Sequence, residues 1–298
     1  MKVKILLSFA IIYIVWGSTF TAIKVGLDSF PPIMLAGLRF LTAGSIFLFF
    51  ARLKDFKAMR MNDIKNDVFI GVLLNFGNAG VCWSEKYMSS GVAALVVGAI
   101  PVIFMLLNWL SFEHKLPHVS ALFAVALGLF GIGLISTDGQ STSDWTVVLV
   151  LLLSNCSWVA GSLKFKNTPS SFTYYSRASV QLLSGGICLL TTSILLRENF
   201  HLVNVQISGI LSVLFLAVVG TVIAYTAYSF LLKNVSTEVT STYALVNPLV
   251  ALILGMVFLQ EPFTAKVAVS ASLILFSVVL TLYGESLFKK LLKVDIPI

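Results

Sequence analysis

The stretch Thr240–Pro262, TSTYALVNPLVALILGMVFLQEP, decides the fold. No charged residue lies between Glu238 and Glu261, a length that as a helix rising about 1.5 Å per residue crosses roughly 30 Å of hydrocarbon. It reads as a membrane span with Pro248 near its start and Glu261-Pro262 as its stop. A diluted copy runs from Ser89 to Pro117: Lys86 stands fifteen residues before Pro101, as Lys233 stands fifteen before Pro248, and Glu113 closes the earlier run as Glu261 closes the later one. One such span in each half points to a chain built by duplication.

Composition agrees. With 58% hydrophobic and 11% charged residues over 298 positions, the chain has too little polarity to cover a soluble domain of this size. A net charge of +7 would suggest nucleic acid if it sat in basic clusters on a soluble surface. Here Lys and Arg separate apolar runs, so membrane lipid head groups are the expected partners and nucleic acid is not. Cys82, Cys156 and Cys188 fall inside apolar runs without Cys-x-x-Cys spacing, as small buried hydrophobes do. Lys2 and Lys4 followed by an apolar run resemble a signal peptide, but the run continues to Leu27 without a convincing cleavage site, so an uncleaved first span is expected.

Runs near twenty residues predict an all-α integral membrane protein of ten spans, near 5–27, 32–51, 67–85, 89–111, 117–136, 145–164, 172–195, 206–231, 238–259 and 264–284. With the N-terminus cytoplasmic, fourteen basic residues fall inside and four (Lys24, Lys86, Arg197, Lys266) outside, while Arg39 and Arg177 lie within spans. That bias predicts cytoplasmic N- and C-termini. The repeat extends beyond the opening pair. Tyr13, Trp16, Phe20 and Lys24 in the first span are echoed at the same intervals by Asn155, Trp158, Ser162 and Lys166 in the sixth, and Pro31 and Arg39 by Pro169 and Arg177. The predicted organisation is a first five-helix repeat over 1–140, a second over 141–288, and a cytoplasmic tail over 289–298. An odd number of spans per repeat sets the second upside down relative to the first, as in secondary transporters with a central site.

Trp16-Gly17-Ser18-Thr19-Phe20, Gly37-Leu38-Arg39-Phe40, Gly220-Thr221, and Asn247-Pro248 followed by Gln260-Glu261-Pro262 resemble, in this order and spacing, the drug/metabolite transporter superfamily, EamA type. The similarity runs from the first span through the tenth. It implies a ten-helix, two-repeat fold and, commonly, export of amino acids or other small metabolites across the bacterial inner membrane, without fixing the substrate. One departure is that Tyr243 and Asn247 have Val96 and Ile100 as their first-half counterparts, so polarity is unevenly shared between the copies.

Three polar stripes follow from helical spacing: Asn75, Asn78, Cys82 and Glu85; Thr221, Tyr225 and Tyr228; Thr240, Tyr243 and Asn247. An amide or phenol facing lipid is unfavourable, so the stripes are expected to face the bundle interior. Interhelical hydrogen bonds would explain any one of them at about 0.6 kcal/mol each. Three stripes converging with Trp16 and Trp158 favour a substrate cavity with aromatic walls. Its expected residues are Trp16, Asn75, Asn78, Trp158, Tyr225, Tyr228, Tyr243 and Asn247. Pro101 and Pro248 are candidate hinges, a static packing kink being the other reading. Arg39 and Arg177 lie within about two turns of a span end, where snorkelling or bonding to helix-end carbonyls is favoured over substrate contact.

No His-Glu-x-x-His occurs, and His114, His118 and His201 fall in predicted loops, so neither a metal site nor a cofactor is expected and an intramembrane enzyme is the weaker class. A transport-inactive scaffold would leave the converging stripes without a purpose. All thirteen acidic residues fall in loops, tails or the end turns of spans. That placement predicts facilitated diffusion or substrate exchange, or at most coupling through a proton carried by the substrate itself, with Glu85 the residue most able to overturn it.

Overall fold

The computed structural model describes residues 2–51, 60–113, 123–124, 126–128, 130–131, 134, 144–199 and 205–292. Its helices are α1 (Lys2–Leu27), α2 (Pro32–Phe50), α3 (Met61–Glu85), α4 (Ser90–Val97), α5 (Ile100–Asn108), α6 (Trp145–Asn167), α7 (Tyr174–Leu195), α8 (Ile207–Ala217), α9 (Ala224–Asn234), α10 (Thr237–Thr240), α11 (Tyr243–Leu259) and α12 (Ala265–Leu292). Five residues of π-helix, Trp109–Glu113, extend α5, and six, Val218–Ile223, join α8 to α9. No strand occurs among the described residues. Nine of the ten predicted spans coincide with described helices, and the fifth, 117–136, lies largely outside the described residues. By length and hydropathy, Lys2–Leu27, Pro32–Phe50, Ser90–Ser111, Trp145–Asn167, Tyr174–Leu195 and Ile207–Asn234 can each cross a membrane. The outer surface carries bare apolar side chains such as Phe49, Leu153, Ile194 and Phe258, as a lipid-facing surface does.

Helix starts follow local chemistry. Asp144 caps α6 by accepting from Thr146 N, and Thr173 caps α7 by accepting from Ser176 N. Pro32 opens α2, where its missing N–H has no helical acceptor to lose. Two predicted spans are interrupted. The fourth divides into α4 and α5 at Gly98-Ala99, and the ninth into α10 and α11 at Ser241-Thr242. Pro101 therefore sits in the first turn of α5 rather than in mid-helix, while Pro248 lies inside α11. The stripe expected of one ninth helix is likewise split, with Thr240 ending α10 and Tyr243 and Asn247 on α11.

The two halves interlock. Glycines bring α2 and α7 together, Gly37 against Leu190, Gly44 against Leu183, and Gly186 against Leu41. These pairings run antiparallel. So do those of α4 with α11, Gly91 against Leu252 and Gly98 against Ala244. In the sequence repeat α2 corresponds to α7 and α4 to α11, so equivalent helices point in opposite directions, as inverted repeats require. Among the described glycines the closest approach to backbone is at Gly71 of α3, where any Cβ would overlap the backbone of Gln181 on α7. Small residues of this kind let helices pack at backbone distance in a membrane, where apolar burial supplies no drive.

Two carboxylates fasten one half to the other at the same end of the bundle. Glu198, just after α7, accepts from Ile33 N (3.1 Å) and Met34 N (3.0 Å) at the start of α2. Glu261, just after α11, accepts from Ser90 N (2.7 Å), Ser90 Oγ (2.8 Å) and Gly91 N (3.2 Å) at the start of α4. Each satisfies amide hydrogens that a helix N-terminus leaves unpaired. Each also follows a residue in the left-handed region, Arg197 or Gln260, both at φ 54°. That turn ends the helix and aims the next side chain at the other half.

Candidate functional site

Four rings from both halves meet at the centre. The Trp16 ring on α1 lies 5.6 Å from Trp158 on α6, 4.9 Å from Tyr228 on α9 and 4.9 Å from Tyr243 on α11. Trp158 stacks on Tyr228 at 5.5 Å. Their polar atoms are all engaged: Trp158 Nε1 donates to Tyr243 Oη (3.2 Å), Tyr228 Oη to Ser162 Oγ (2.8 Å), and Trp16 Nε1 to the Gly220 carbonyl (3.1 Å). Gly220 lies in the π-helical stretch, whose altered register leaves a carbonyl free for side chains. Arg39 uses the same carbonyl (Nη2, 3.2 Å) and donates through Nε to Thr221 Oγ1 (2.8 Å).

Beside these rings is a chamber of ≈ 80 Å³. Of the sequence-predicted residues Trp16, Asn75, Asn78, Trp158, Tyr225, Tyr243 and Asn247 line it. Tyr228 stands behind the wall, against Trp16 and Trp158. Oriented for hydrogen bonding, the Asn247 amide donates to the carbonyls of Tyr13 (3.0 Å) and Ile12 (3.2 Å), tying α11 to α1. Of the two prolines, neither lines the chamber, although Ile100 beside Pro101 and Asn247 beside Pro248 do. The chamber is small beside the roughly 300–1,000 Å³ of drug-sized ligand pockets, so it suits a small solute or a contracted state. A larger groove of ≈ 570 Å³ lies between Ile11, Phe47, Tyr175 and Phe230. Its walls are mostly apolar, with the hydroxyls of Ser8, Tyr175 and Thr226 and Lys4 as the one charged lining group, which suits a lipid chain better than a polar solute.

Sequence reasoning missed Arg39, Thr19, Asn155 and Gln181, which also line the chamber or its ends. Arg39 is only 4% exposed and bonds to the π-helical stretch, so it does not snorkel to head groups. Arg177 is equally enclosed. Its Nε donates to Asp67 Oδ1 at 2.7 Å, and its guanidinium lies 4.3 Å over the Phe165 ring. Gln181 extends that pair, donating to the same Asp67 oxygen (2.7 Å) and accepting from Tyr225 Oη (2.7 Å). Asp67 is thus a buried acid, as is Glu85, which ends α3 as the sequence predicts but is enclosed there. Of the cysteines, Cys82 is buried as expected and Cys156 and Cys188 only half so; all three are free. Among the described residues no cluster of His, Cys, Asp or Glu is arranged to hold a metal.

Residues 3–137 and 145–283 each match the EamA-like transporter family. The chain belongs to that family. It is accordingly a multi-pass membrane transporter and not an enzyme. The "uncharacterized inner membrane transporter YedA" of Escherichia coli (strain K12) is 34% identical over 282 residues, covering 93% of this chain and 90% of that one. The "probable amino-acid metabolite efflux pump" of the same organism is 28% identical over 290 residues, covering 92% and 93%. A solved crystal structure shares the fold, with a TM-score of 0.63 at 16% identity over 97% of this chain and 98% of that one.

Proposed function

We propose that the chain is a secondary, non-ATP transporter of the inner membrane that exports amino acids or related small metabolites by alternating access. The observation that carries this reading is the central chamber, whose walls come from both halves, Trp16 and Asn78 from the first and Trp158, Tyr225, Tyr243 and Asn247 from the second. A site shared by two oppositely oriented repeats can be exposed to either side by rocking one repeat against the other. The proposed repeats are 1–140 and 141–288, with 289–298 as a cytoplasmic tail and both termini cytoplasmic. Ring faces suit an apolar side chain, while Arg39 and the amides at the chamber ends suit carboxylate and amine groups. The efflux pump at 28% identity supports the same substrate class. Pro101, beside the break between α4 and α5, and Pro248, inside α11, are the proposed hinges.

The test is a panel of amino acids in export and growth-resistance assays, comparing wild type with Trp158→Ala. The substitution removes the two ring contacts of Trp158, with Trp16 and Tyr228, worth about 0.5–1.5 kcal/mol each. It is expected to raise the half-saturating concentration of the exported compound at least about tenfold, at unchanged abundance in the membrane. Equal export by the two proteins across the panel would refute the reading.

A further inference from the structure

Glu85 ends α3 with its side chain 0% exposed, and neither carboxyl oxygen has a hydrogen-bond partner among the described residues. Charged groups approach from three other elements: Lys24 on α1, Arg39 on α2 and Glu261 after α11, with the thiol of Cys82 one turn back on α3. All three are engaged elsewhere. Lys24 Nζ donates to the backbone carbonyls of Glu85 (2.5 Å) and Met88 (2.9 Å), Arg39 serves Thr221 and Gly220, and Glu261 holds the start of α4. A carboxylate taken out of water with neither a partner nor a donor is strongly disfavoured, whereas the neutral acid is tolerated. Its surroundings touch the chamber, for Val81 one turn earlier, Ile23 beside Lys24, and Arg39 itself all line it.

We propose that Glu85 is a proton-binding site coupled to the transport chamber, neutral while this end of the bundle is closed and ionised when the end opens. On opening, the Oε–H bond breaks, the proton passes to entering water, and the bonding pair stays on the carboxylate. Lys24, already bonded to the backbone carbonyl of Glu85, then turns to the new anion. That exchange releases α1 from the end of α3. Trp16 lies eight residues before Lys24 on α1, so proton binding and the chamber wall are moved by one rigid element. The inference rests on the transporter reading above, and it replaces exchange without proton coupling, the expectation from sequence.

Two measurements on the reconstituted full chain test it. Infrared spectra should show a carboxylic-acid C=O band that titrates with pH in wild type and is missing in Glu85→Gln. In proteoliposomes, radiolabelled L-leucine, whose net charge is constant near neutral pH, should exchange in counterflow and accumulate under an imposed pH gradient. Glu85→Gln is expected to keep counterflow, which also shows that it folds, and to lose accumulation. Lys24→Gln keeps a donor for the carbonyls without the charge and is expected to lose accumulation too. Accumulation at the wild-type level in both variants, or a wild-type spectrum with no Glu85-dependent band, would overturn the proposal. Failure of wild type to move leucine or any other neutral amino acid would instead refute the transporter reading, and the infrared band would still decide whether Glu85 carries a proton.

Discussion

Asp67 and Arg177 show how much a single partner matters inside a membrane. Both side chains are almost wholly enclosed, and Asp67 Oδ1 receives Arg177 Nε and Gln181 Nε2, each at 2.7 Å. Removing one member of a buried pair leaves an uncompensated charge, at a cost of about 3–5 kcal/mol. Asp67→Ala is therefore expected to lower the melting temperature in detergent sharply, and Asp67→Ala combined with Arg177→Met to recover most of the loss. If the double variant melts no higher than the single one, the pair is not what Asp67 contributes. The pair was hidden in the sequence because Asp67 and Arg177 are 110 positions apart, and a position near a span end gives no hint of what covers it. Arg39 was hidden for a related reason: its partners are a threonine and a carbonyl set free by a change of helical register. Trp16 and Trp158, by contrast, were legible, since tryptophan recurring at matched repeat positions, away from the span ends where it anchors to head groups, points to a wall shared by the two halves.

At the scale of elements, the ends of α7 and α11 matter more than their middles. Each ends in a left-handed residue followed by a glutamate that caps a helix of the other half. Glu261→Ala would strand Ser90 N and Gly91 N and should destabilise by about 1–3 kcal/mol. Glu261→Gln keeps one of the two acceptor oxygens that the carboxylate uses and should lose less than Glu261→Ala. Thermal unfolding of the two variants checks this, and equal melting temperatures would contradict the capping role. Helix existence was legible from apolar length alone. The breaks at Gly98-Ala99 and Ser241-Thr242 were not, because Pro101 and Pro248 drew attention to themselves while the interruptions fell two to seven residues earlier. Where the chain stops being helical is decided by packing between the halves. Gly98 already sits against the backbone of Ala244, and that contact has no local signature.

For the whole molecule, antiparallel pairing of equivalent helices leaves one question of sidedness. The fourteen-to-four distribution of basic residues predicts both termini in the cytoplasm. A reporter active only in the periplasm, fused after Lys293, should stay silent, and one placed in the Ser136–Asp144 loop should be active. The reverse pattern would invert the topology. The duplication was legible because it repeats prolines, lysines and tryptophans at constant offsets, but helical spacing did not show that Tyr228 stands behind the wall or that Gln181 lies within it. The central claim, that one chamber walled by both halves is the solute path, is tested most directly by cysteine accessibility. With Cys82, Cys156 and Cys188 replaced, single cysteines at Asn78, Tyr225, Tyr243 and Asn247 should react with a small aqueous thiol reagent and be protected by the exported compound. A cysteine at Leu153, near the middle of α6 on the lipid-facing surface, should not react. If the four chamber positions stay unreactive while a loop cysteine is labelled, the chamber is not on the transport path.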